Sequence, residues 1–143
     1  FIPDSYIANE YQKLDVYKRI AALEDEEEME DMTEELIDRF GDIPLKVQRL
    51  LQISALKTLA HSVYVTAVEQ KGEVLRFTMY ERAKILPQKI PGLLEQYRGD
   101  LTFRTEEPPY FEYRKKMKGR NGKKEDVLEV VKKVLFDIKG LIE

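Results

Sequence analysis

Through the first 62 residues apolar positions recur every three or four residues, the period of helices with one buried face. A helix is predicted over about 10–23, with Val16, Ile20 and Leu23 on one side and Leu14, Tyr17 and Ala21 beside them. A second, about 27–40, has a stripe of Met29, Met32, Leu36, Ile37 and Phe40. A third opens at Pro44 and runs to His61, with Val47, Leu50, Leu51, Ala55 and Leu59 inward. Gly41 falls where a left-handed residue ends a helix, and Pro44 has no N–H to lose in the first turn of the next. Residues 1–9 read as extended, anchored by Tyr6 and Ile7.

At Val63 the period changes. Val63, Val65 and Ala67 alternate with Tyr64, Thr66 and Val68; Leu75, Phe77 and Met79 alternate with Arg76 and Thr78. Two strands joined near Gln70–Gly72 form a predicted hairpin. Pro87 and Pro91 confine a short helix to about 89–98, with Ile90, Leu94 and Tyr97 inward. Leu101–Thr105 and Tyr110–Lys115 are further strands, separated by Pro108-Pro109, which disfavours a two-residue turn. A final helix is predicted from about Glu125 to Leu141, carrying Leu128, Val131, Leu135 and Ile138 at three–four spacing, with Ile142 just beyond. The predicted class is α+β: about three N-terminal helices in a layer, then a small, mainly antiparallel sheet with packed helices, including a long C-terminal one. The expected organisation is one domain over 1–143, with a helical half of about 1–62 and an α/β half of about 63–143.

Charge breaks this regular picture. Residues 24–38 hold ten acids and no base, so a net charge of −3 conceals a segment at −10 and a remainder at +7. At roughly 100° per residue, Glu28, Asp31, Glu35 and Asp38 fall in one band beside the apolar stripe. Acids early in the helix suit its positive end, but Glu35 and Asp38 lie toward the other end, where each costs about 0.3–1 kcal/mol at low salt. A locally costly choice marks a place to look for function. For these two acids a protein contact and a solvated face stand level; for the run as a whole a solvated face is the simpler reading. The basic stretch Arg114–Lys124, with Arg114, Lys115, Lys116 and Lys118 after Tyr110, Phe111 and Tyr113, suits contact with nucleic acid or another acidic surface. The alternatives are a loop coated with lysines, or internal pairing with the acid run.

Candidate chemistry is sparse. With no cysteine, disulfides and thiolate metal sites are excluded. His61 is the single histidine, read as a helix-end imidazole helped by the dipole rather than a general base. Neither a phosphate-binding glycine loop nor a nucleophile elbow is present. Carboxylates suit Mg²⁺ or Ca²⁺, but these lie along a helix without the loop of a calcium site. No catalytic, cofactor or metal residues are expected, and the chain is read as a non-enzymatic domain. No apolar run approaches the roughly 20 residues of a membrane span. This fits a cytoplasmic protein, and the start at Phe1 suggests a domain cut from a longer chain.

Several stretches together resemble the C-terminal module of the bacterial transcription-repair coupling factor (Mfd) family: Ile2-Pro3, Tyr6-Ile7, Tyr17–Ala21 (YKRIA), Glu35–Pro44 (ELIDRFGDIP) and the leucine-rich helix that follows. The likeness is specific over 2–60 and thins beyond Val63. It implies a parent that is an ATP-driven double-stranded DNA translocase, with ATP and Mg in motor domains outside this chain, acting on stalled RNA polymerase and recruiting nucleotide-excision repair. It implies that this module is regulatory, masking the UvrA-binding surface of a UvrB-like N-terminal domain of the same protein and restraining the motor until polymerase is engaged. The family pattern puts Glu35 and Asp38 against basic residues of that domain, with Glu28, Asp31 and Arg39 as a rim. The alternative is an accessory nucleic-acid-binding domain working through the 114–124 segment.

Overall fold

The computed structural model describes residues 1–114 and 126–142. The chain forms two compact units, Phe1–Thr58 and Leu59–Glu143.

The first unit is helical. Ile2 and Ile7, rather than Tyr6 and Ile7, are the buried anchors of the N-terminal segment. The segment is not extended throughout, because a turn in which the N–H groups of Tyr6 and Ile7 donate to the Pro3 carbonyl lies between them. Helix α1 spans Glu10–Ala21, with the Asn9 side chain accepting from the N–H of Gln12. Helix α2 spans Glu26–Phe40 and is capped by Asp25, which accepts from the N–H of Glu28 at 2.8 Å. The start of the acid run is thus a cap and first turn, where the helix dipole favours it. Helix α3 spans Leu45–Ser62. Pro44 sits one residue earlier than expected: its carbonyl accepts the N–H bonds of Val47 and Gln48, both 3.0 Å, so it precedes the helix as the cap. Gly41 adopts φ 87° and ψ −163°, a region that only glycine enters freely.

The buried stripes are narrower than the periodicity suggests. Val16 and Ile20 are buried in α1, and Met32 and Leu36 in α2. Leu14 and Ile37 are 52% and 47% exposed, correcting their placement in the apolar faces. These helices share one core of Ile2, Ile7, Val16, Ile20, Met32, Leu36, Val47 and Leu51. Polar side chains tie the joints. The Tyr6 hydroxyl donates to the carbonyls of Leu36 (3.2 Å) and Gly41 (3.0 Å), and the Ser54 hydroxyl donates to the Ile20 carbonyl at 2.7 Å.

The second unit is built on an antiparallel sheet of order β1-β2-β4-β3, with β1 Val65–Lys71, β2 Val74–Met79, β3 Leu101–Arg104 and β4 Tyr110–Arg114. The hairpin turns at Gly72, at φ 60°. Leu75, Phe77 and Met79 are buried, but in β1 only Val65 is; a bulge beside it breaks the expected alternation. The Arg104–Tyr110 connection contains a cis Glu107–Pro108 peptide. Helix α4, Ile90–Gln96, buries Leu93 rather than the predicted trio. Helix α5, Val127–Lys139, buries Val131, Val134, Leu135 and Ile138.

Candidate interdomain interface

Arg19 stands beside Ile20 on α1, at the edge of the buried stripe, and reaches across to α2. There its guanidinium grips Glu35 with two nitrogens: NH1 donates to Oε2 and NH2 to Oε1, the latter at 2.7 Å. Arg39, one turn along α2, donates to Oε2 at 3.0 Å. A forked guanidinium on a carboxylate is the strong geometry for an ion pair. The hydrogen bond from Arg19, helped by Arg39 and by both positive charges, outweighs partial burial and holds the Glu35 carboxyl down to about 2. Glu35 was expected to want a partner from outside the chain. It has two inside it, and this pairing offsets the poor fit of an acid to the C-terminal end of a helix.

Asp38 is different. It is exposed, and among the described residues none pairs with it. Asp31 and Glu34 are exposed on the same helix. Glu28 sits at the cap, where its carboxylate accepts the N–H of Glu24 at 2.8 Å. Of the five predicted interface and rim residues, Glu35 and Arg39 form one network with Arg19, Asp31 and Asp38 lie open, and Glu28 belongs to the helix start. Nothing local to YKR says which acid, 16 residues on, the helix crossing will bring to Arg19. Its one signal was a long basic side chain flanking the stripe.

The predicted basic patch is only partly visible. Arg114 closes β4 opposite Val74, with its N–H donating to the Asp100 carbonyl at 2.9 Å. Lys115, Lys116 and Lys118 lie outside the described residues. His61 is exposed in the last turn of α3. Among the described residues no group of three or more histidine or acidic side chains is arranged to hold a metal ion, and no helix is long and apolar enough to cross a membrane.

Residues 1–90, which contain the whole Arg19–Glu35–Arg39 network, match the TRCF domain family. The chain belongs to that family. The chain is 33% identical over 108 residues to the transcription-repair-coupling factor of Staphylococcus haemolyticus, covering 76% of this chain and 8% of that protein. It is 35% identical over 99 residues to the one from Bacillus subtilis, covering 68% and 8%. The chain therefore spans less than a tenth of the length of these relatives. A solved C-terminal domain of transcription-repair coupling factor superposes with a TM-score of 0.78 at 25% identity, over 99% of this chain and 85% of that one. The α+β architecture is the one this solved domain has.

Proposed function

We propose that this TRCF domain is an autoinhibitory interaction domain. It covers the UvrA-binding surface of the parent's UvrB-like N-terminal domain and restrains the DNA translocase until stalled RNA polymerase is engaged. The observation that carries the reading is Asp38: an exposed acid with no pairing partner among the described residues, beside a carboxylate already fixed by two arginines. Arg19 and Arg39 hold Glu35 in one orientation, so its outer lone pairs are presented without further ordering cost. Asp38 adds a charge that no described side chain neutralises. A basic residue on the masked domain would pair with Asp38 and join the Glu35 network from outside. Exposed charge pairs are individually weak, which suits a mask. A bias of a few kcal/mol keeps the open state minor while leaving it accessible to a competing partner.

The test is capture of UvrA by the full-length parent protein without polymerase. Asp38→Arg is expected to increase capture while the circular dichroism of the isolated domain is unchanged. Unchanged capture with the domain folded rules out the charge latch.

A further inference from the structure

Helix α3 carries Lys46, Arg49, Lys57 and His61 and no acid along its whole length. Lys46, Arg49, Ile53 and Lys57 follow an i, i+3, i+7, i+11 spacing, which keeps them within one stripe of the helix surface. All four are exposed, and Ile53, at 41%, places an apolar group in the middle of the bases. On α2, Glu27, Glu30, Glu34 and Asp38 repeat that spacing, are exposed too, and have the half-exposed Ile37 alongside. Both rows span about 16 Å at about 1.5 Å per residue. One helix of this chain therefore presents an acidic row with an isoleucine at its side, and the next a basic row of equal length with an isoleucine at its centre.

We infer that a second copy of this chain is the partner of these two rows, with α2 of one protomer lying on α3 of the other. Acids at either end of the α2 row meet bases at either end of the α3 row whichever way the helices run. Ile37 and Ile53 supply the apolar contact that phosphate groups would not use. Pairing the two helices would cover the exposed surface of both isoleucines. The inference is independent of the masking role. Asp38 belongs to both surfaces, so self-association and docking on another domain exclude one another at that residue.

The test is sedimentation velocity of the 143-residue chain over a range of concentrations. A dimer is expected at about 20 mM salt, with its dissociation constant rising at least about tenfold by about 300 mM. Lys46→Glu/Arg49→Glu/Lys57→Glu and Glu27→Lys/Glu30→Lys/Glu34→Lys should each be monomeric alone, and an equimolar mixture of the two should form a one-to-one heterodimer. If either triple variant fails to fold by circular dichroism, Arg49→Gln/Lys57→Gln takes its place, with loss of the wild-type dimer expected. A wild-type chain that stays monomeric at the lowest salt overturns the inference. So does association indifferent to salt or charge reversal, a mixture of folded variants that does not associate, or an unweakened dimer in the glutamine variant.

Discussion

Replacing Glu35 by glutamine keeps the shape of the side chain and removes its charge, which makes it the sharpest probe of the clamp between α1 and α2. A carboxyl held down to about 2 from an ordinary 4.5 corresponds nominally to roughly 3 kcal/mol. The side chain is 35% exposed, however, and its partner Arg19 40%. Solvent screening reduces this to about 1 kcal/mol, at the upper end for exposed pairs because the grip is forked. The sign follows from the direction of the shift. A depressed carboxyl stabilises the fold fully above its unfolded value and loses that contribution as pH falls toward its folded value. The clamp should therefore act in full at neutral pH, weaken below about pH 4.5 and be mostly gone only by about pH 2. Urea unfolding of wild type and Glu35→Gln, followed by helical circular dichroism, should show a gap of about 1 kcal/mol at pH 7 that narrows below about pH 4.5 and closes as pH is lowered to about 2. An equal gap at both pH values would refute the clamp. So would a Glu35 carboxyl that titrates near 4.5 by NMR.

The revised apolar stripe of α2 separates two neighbours. Leu36→Ala should cost about 2–5 kcal/mol and Ile37→Ala less than about 1 kcal/mol in the same unfolding assay. Ser54→Ala removes the donor to the Ile20 carbonyl and should cost about 1 kcal/mol, again by urea unfolding. In the second unit, burial, then the hydrogen bond and charge of Asp137, push the Tyr97 hydroxyl well above the ordinary tyrosine range. Its stabilisation is present below the unfolded value of about 10 and is lost as pH rises through the folded one. An alkaline absorbance titration of wild type should therefore show a late-ionising tyrosine that Tyr97→Phe lacks.

Element types and order were legible from periodicity because each helix and strand needs one buried face, and that need is written locally. The 3.6-residue repeat located α1, α2 and α3, and the alternation of Leu75, Phe77 and Met79 located β2. What periodicity could not supply was the width of each face. Leu14 and Ile37 keep the right phase but sit at the margin, where burial depends on how closely the neighbouring helix approaches. β1 misled for a related reason, since an edge strand can alternate without anything covering it, and the bulge at Val65 then shifts its register. At the candidate interface the acidic band was readable from helix geometry alone, but the state of its members was not. Glu35 and Asp38, three residues apart, differ in whether Arg19 reaches them, and that depends on the crossing of two helices. The family's recognisable motifs lie within residues 2–60, and the family match extends to residue 90, through the hairpin, where strand residues are set more by packing than by motif.

The most direct measurement of the masking role is calorimetric titration of this 143-residue chain into the parent's isolated UvrB-like N-terminal domain. With the chain kept below the concentration at which it pairs with itself, saturable one-to-one binding is expected at low salt, weakening at least about tenfold between about 50 and 300 mM salt and lost in folded Asp38→Arg. Absence of binding at the lowest salt, or binding by Asp38→Arg as tight as by wild type, would contradict it.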